Sequence, residues 1–184
     1  MDSKVAQHSA FNTKRLVLSA LFIALSLVGS YLKIFGTIAF DSLPAFLASL
    51  LLGPIYGAAI GFLGHIFSAL SSGFPLTMPI HIVVAAAMAI TMIGFGNTYK
   101  ALNKRLPETA NIAVTGIVGT ILNGPFSLML SMAGLAFMSG ADAAYGLLAL
   151  LPFLMLGSVA NIVLCFILYK ALANIWKSVT KEPK

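Results

Sequence analysis

The sequence predicts an all-α membrane protein, a six-transmembrane-helix bundle with both termini cytoplasmic. Three observations carry that expectation. Hydrophobic residues make up 59% of the 184 and charged residues 9%, with a mean hydropathy of +0.98, whereas a soluble domain is about a quarter charged. Asp41 and Lys100 bracket 58 residues without one Asp, Glu, Lys or Arg. The apolar runs are rich in Gly, Ala and Leu and lack the period-two alternation of a membrane barrel, so helices must satisfy the backbone. Residues 1–184 read as a single integral-membrane domain, with a flexible cytoplasmic N-terminus at 1–12 and a cytoplasmic tail at 177–184.

The first 15 residues are polar, and Asn12 or Thr13 is placed to cap the first helix. Leu16 to Leu32 follows as 17 uncharged residues between Arg15 and Lys33. That run exceeds the about 7–15 apolar residues of a signal peptide, and further spans come after it. Ile34 to Phe40 is a short connection. The second helix runs from Asp41, a cap or first-turn acid, to Gly53, and Pro54 opens the third, which ends near Ser72. Gly73-Phe74-Pro75 breaks the chain, and the fourth helix covers about Met78 to Ala101. A basic connection from Lys100 to Glu108 leads to the fifth helix, about Thr109 to Met138, interrupted at Gly124-Pro125. The sixth covers about Tyr145 to Trp176, with Pro152 in its first half. Every segment but the short second one meets the ~20 residues a membrane crossing needs.

Charge placement gives the orientation. With termini inside, the inner segments hold ten Lys and Arg residues (Lys4, Lys14, Arg15, Lys100, Lys104, Arg105, Lys170, Lys177, Lys181 and Lys184) and the outer ones Lys33 alone. That bias accounts for the pI near 9.6 without any nucleic-acid partner. The single cysteine, Cys165, sits in an apolar run and reads as a packing residue.

Few polar side chains remain inside the spans. Gly57, Gly61, Gly64 and Ser68 share one face of the third helix, where small residues let helices approach closely. His65 at the edge of that face needs a partner, either structural or a bound ligand. His81 begins the fourth helix. Asp41, His65 and His81 lack the spacing of a metal motif, so no metal is expected, and a pocket of imidazole donors is the better use of them. Asn123 and Asn161 lie midway along the last two helices. They form either an interhelical hydrogen bond of about 1 kcal/mol or a polar floor beneath a ligand. Ser68, Ser72, Phe74 and Phe126 complete a neutral, hydrogen-bonding candidate pocket with rings available to stack. No nucleophile elbow, Walker loop or pair of intramembrane acids is present, so no catalytic residue, cofactor or internal energy source is expected. A binding site without a motor implies a partner.

The run FDSLPAFLASLLLGPIYGA (Phe40 to Ala58) resembles the LP-x-(hydrophobic)-LLGP-x-x-G segment of the substrate-binding S components of energy-coupling factor (ECF) vitamin transporters. Ala20-Leu21-Phe22-Ile23-Ala24 is similar to that family's AxxxA docking motif, and six helices in about 180 residues agree with its size. The resemblance implies a prokaryotic plasma-membrane subunit that binds a vitamin or precursor outside; the residues read above as its pocket are Asp41, His65, Ser68, Ser72, Phe74, His81, Asn123, Phe126 and Asn161. Ile34 to Phe40, Ser72 to Pro75 and Ser139 to Ala144 would cover the ligand. Ala20 and Ala24 would meet a transmembrane coupling subunit attached to two ATPases.

The resemblance also narrows the ligand. Nickel and cobalt members carry a histidine at the second position, where this chain has Asp2; thiamin binders bring tryptophans, whereas Trp176 lies at the cytoplasmic end. Ile38 to His81 is most similar to members assigned to α-ribazole or dimethylbenzimidazole, precursors of the cobalamin lower ligand. Hydroxymethylpyrimidine and pantothenate stand as alternatives. So do a small intramembrane enzyme using His65 or His81, and an assembly subunit.

Overall fold

The computed structural model describes residues 3–34 and 38–180. α1 runs from Ser3 to Tyr31, so helix begins well before the expected cap at Asn12 or Thr13. Its membrane-length part is Thr13–Tyr31. Met1 and Asp2 lie outside the described residues, as do 181–184 of the tail.

The expected plain connection after α1 is a small antiparallel hairpin, β1 (Lys33–Ile34) and β2 (Ile38–Ala39), with Lys33 opposite Ala39 and Ile34 opposite Ile38. Residues 35–37, part of the expected ligand cover, lie outside the described residues. The Phe40 N–H donates to the Gly29 carbonyl at 3.1 Å, and a Cβ at Gly29 would run into the Phe40 carbonyl. The hairpin therefore folds back onto α1 only because position 29 has no side chain.

α2 (Leu43–Leu51) has nine residues, about 13.5 Å at 1.5 Å per residue, less than half a hydrocarbon core of ~30 Å. It is buried throughout its middle, at Ala45, Phe46, Leu47, Ala48 and Ser49, and packs against α1, α3 (Pro54–Ser71), α4 (Met78–Leu102) and α8 (Leu151–Thr180). Five helical segments among the described residues are long and apolar enough to cross a membrane. In place of the expected sixth, the chain has a half-length internal helix. The expected cap at Asp41 is also corrected: Ser42 holds the N-cap position, and no side chain bonds the first turn.

Proline explains the remaining departures. α5 (Glu108–Ile121) does not break at Gly124-Pro125 but widens into a π-helical turn, Leu122–Phe126, before α6 (Ser127–Ser139). Pro125 has no N–H to donate; the Ser127 N–H instead reaches the Leu122 carbonyl, five residues back. The expected single helix from Tyr145 is α7 (Ala141–Gly146), a 3₁₀ turn at Leu147–Leu150, and then α8. Pro152 occupies the first turn of α8, where a missing N–H costs nothing.

Charged groups gather at one end of the bundle. The Arg15 guanidinium lies 5.5 Å from the Tyr56 ring centre, a cation–π contact, and Lys170 pairs with Glu108 at 3.1 Å. The interior joins Phe46, Phe95, Phe166 and Tyr99 ring to ring, with centroids 4.8 to 6.0 Å apart. The small-residue face of α3 does three packing jobs. A Cβ at Gly57 would come within 2.6 Å of Ser49 on α2, at Gly61 within 3.1 Å of Met92 on α4, and at Gly64 within 2.8 Å of Ser26 on α1.

Candidate functional site

At the end of the bundle away from these charges, the segment entering α2, together with α3, α4, the π turn and α8, lines a half-open cavity of about 230 Å³. Asp41 and Ser42 line it from the entrance to α2, His65 from α3, Val84 and Met88 from α4, and Asn123 and Ser127 around the π turn. α8 contributes Phe153, Leu154, Gly157, Ser158 and Asn161. His65 is six residues before the end of α3, so the site lies roughly 9 Å in from that end. The short α2 is what makes this possible, since it starts inside the bundle, directly after Asp41 and its N-cap Ser42.

Asp41 Oδ2 is 3.8 Å from His65 Nδ1, and His65 Nε2 is 3.2 Å from His81 Nδ1. The Leu76 N–H approaches His81 Nε2 at 3.4 Å. A backbone N–H can only donate, so His81 Nε2 accepts and the His81 proton sits on Nδ1. Nδ1–H then donates to His65 Nε2, which leaves the His65 proton on Nδ1, facing Asp41. One directional chain thus leads from the α3–α4 loop to the cavity carboxylate through two neutral imidazoles. The two facing nitrogens are fewer than the ligands a zinc site uses, and no group of three potential metal ligands is found among the described residues.

The opposite wall is also internally bonded. Asn123 Nδ2 donates to Ser158 Oγ at 2.9 Å, and Ser158 Oγ donates to the Leu154 carbonyl at 2.7 Å. Asn161 Nδ2 donates to the Gly157 carbonyl at 2.8 Å. Asn123 and Asn161 therefore do not pair with each other; each faces the same cavity and bonds a neighbour on α8.

Of the residues singled out from sequence, Asp41, His65, Asn123 and Asn161 meet in this cavity. His81 stands behind His65 and is 8% exposed, with the Phe74 ring 5.7 Å from it. Ser68 is buried on the packing face of α3, Ser72 is exposed at its C-cap, and Phe126 is half-buried outside the cavity wall. The ring on the wall is Phe153. Sequence reasoning also missed Ser42, Val84, Met88, Ser127, Leu154, Gly157 and Ser158. A usable signal existed: Leu154, Gly157 and Ser158 precede Asn161 by seven, four and three residues, one helical face. Ser127 likewise follows Asn123 by four.

Two features lie outside the cavity. Ala20 and Ala24 are exposed on α1, in a stripe with Leu21, Leu25 and Val28. A second depression of about 500 Å³, between α5 and α8, has an almost wholly apolar wall including Ile117, Val163 and Phe166.

A family model described as "ECF transporter, substrate-specific component" matches residues 14–173. A comparison with curated proteins finds no match.

Proposed function

The chain belongs to the substrate-specific components of ECF transporters, a family of multi-pass membrane subunits of importers, and from that premise we propose that the 230 Å³ cavity is its ligand site. What carries the reading is the convergence of the rare intramembrane polar groups, Asp41, His65, Asn123 and Asn161, from four separate elements into one enclosure. They ring a common space, with Phe153 as an aromatic wall.

The ligand we favour is a small, neutral heteroaromatic of the cobalamin lower-ligand type, α-ribazole or its base dimethylbenzimidazole. Its support is the likeness of Ile38 to His81 to members with that assignment, together with the uncharged imidazole, amide and hydroxyl groups facing the cavity. The volume lies below the ~300–1,000 Å³ of pockets that enclose drug-sized ligands, which favours the base over its riboside. Hydroxymethylpyrimidine satisfies the same size limit; pantothenate would bring its carboxylate to Asp41. A thermal-shift screen of the purified chain against water-soluble vitamins and their precursors tests this. Stabilisation by dimethylbenzimidazole above all others is expected, and stabilisation by an unrelated vitamin alone would overturn the ligand assignment.

We further place the termini and the basic end of the bundle in the cytoplasm, from the ten-to-one distribution of Lys and Arg, and the cavity toward the outside of a prokaryotic plasma membrane. The exposed Ala20–Ala24 stripe is the proposed seat of the coupling subunit, which with two ATPases supplies the energy this chain lacks.

A further inference from the structure

The charged and polar groups of the cavity say what kind of group can meet Asp41. Asn123 Nδ2 and Asn161 Nδ2 each give one of their two protons to a neighbour, and Ser158 Oγ gives its only one. The His81 proton goes to His65, and the His65 Nδ1–H faces Asp41. The charged group facing the space is an acceptor: the Asp41 carboxylate, 19% exposed, with its nearest side-chain partner at 3.8 Å. That separation is too long for a hydrogen bond. No Lys or Arg lines the cavity, so nothing there offsets a second negative charge.

We propose that Asp41 is the selecting group of the site, accepting an N–H proton from a neutral or protonated heterocycle such as an azole or aminopyrimidine. In the same proposal, His81 is the positioning residue that sets Asp41 up. This rests on the cavity being the ligand site and adds the polarity of what it takes. Carboxylates and phosphates are disfavoured by the uncompensated charge of Asp41, and heterocycles without an N–H lose the contact with it. His81 acts at a distance. Held as an acceptor by the Leu76 N–H, it fixes His65 in the tautomer that directs Nδ1–H at Asp41. The loop it grips is conformationally constrained: Gly73, Phe74 and Thr77 all have positive φ, at 72°, 51° and 88°, a region that costs residues with a Cβ.

The test uses the full chain in detergent and two matched pairs of probes. These are benzimidazole with 1-methylbenzimidazole, and 4-amino-2-methylpyrimidine with its dimethylamino analogue; nicotinate serves as the anionic control. Calorimetry reads the preference for the donor-bearing member of each pair. A loss on capping of about 10- to 100-fold is expected, the size of a hydrogen bond to a charged group. In Asp41→Asn that preference collapses while the ligand-free melting temperature holds. His81→Asn, whose amide nitrogen stands near the place of Nδ1, keeps the preference. His81→Phe lowers it, a change in ratio that a purely structural role would not produce. Equal binding of capped and uncapped members, preference for nicotinate, an unchanged ratio in Asp41→Asn, or no binding of any probe would overturn the proposal. Co-purification with an ECF coupling module separates this from failure of the underlying reading. A chain that assembles with the module but ignores the donor refutes the selectivity alone, whereas one that never assembles refutes the transporter role as well.

Discussion

At Gly64 one methyl group decides whether α1 and α3 can touch. A Cβ there would sit 2.8 Å from that of Ser26, and Ser26 is itself fully buried. Gly64→Ala is expected to destabilise the bundle by about 1–3 kcal/mol, the usual cost of overpacking. Adding Ser26→Gly should restore much of that loss, as read from melting in detergent; a neutral Gly64→Ala would mean the two helices are not held at this distance. Asn123 behaves differently. In Asn123→Leu, Ser158 still donates to the Leu154 carbonyl, so stability should fall by only about 1 kcal/mol, while binding of the cognate ligand falls at least about tenfold. Retained affinity would show that Asn123 is helix glue. These polar residues were legible in the sequence because a His, Asp or Asn inside a charge-free run stands out. Phe153 was not, since one Phe among 13 carries no mark of the cavity it faces.

Elements were legible where proline or glycine punctuates them and illegible where geometry decides. Gly53-Pro54 marks the join of α2 and α3, and Gly73-Phe74-Pro75 marks the loop before α4. The bounds at Asp41 and Gly53 marked α2 as too short to cross, but no pattern announced that it would be buried between four other helices, because its apolar composition is that of a crossing. The two-residue strands β1 and β2 are too short for any periodicity to show. Pro125 was visible as an interruption, but its outcome, a π turn rather than a break, depends on the Ser127 N–H reaching past it to Leu122. Pro125→Ala restores a donor and should let Leu122–Phe126 relax toward α-helix. That would turn Asn123 away from Ser158, weakening ligand binding with little or no loss of melting temperature. Unchanged affinity would indicate that the widened turn is held by packing around it instead of by the proline.

The whole molecule has two ends of different character, and the orientation proposed from them can be tested directly. Cys165 is fully buried, so single cysteines introduced elsewhere can be labelled against a quiet background. Ser72→Cys should react with a membrane-impermeant maleimide in intact cells, and Asn103→Cys only after permeabilisation; the reverse pattern would invert the bundle. Replacing Ala20 and Ala24 together by Leu should leave ligand binding intact and abolish uptake by the assembled transporter. If binding is lost instead, the stripe packs inside the subunit. Composition and the long uncharged apolar runs made a helical membrane protein legible from sequence, while the depth of the site required the placement of α2. One consequence follows from where α1 stands. Of the residues lining the cavity, none comes from α1, yet α1 carries the exposed stripe. With the roles proposed above, recognition and docking fall on separate faces, free to vary independently: mutation can recut the cavity for a new molecule while the outer stripe is preserved, so a lineage could change its nutrient without renegotiating its partner.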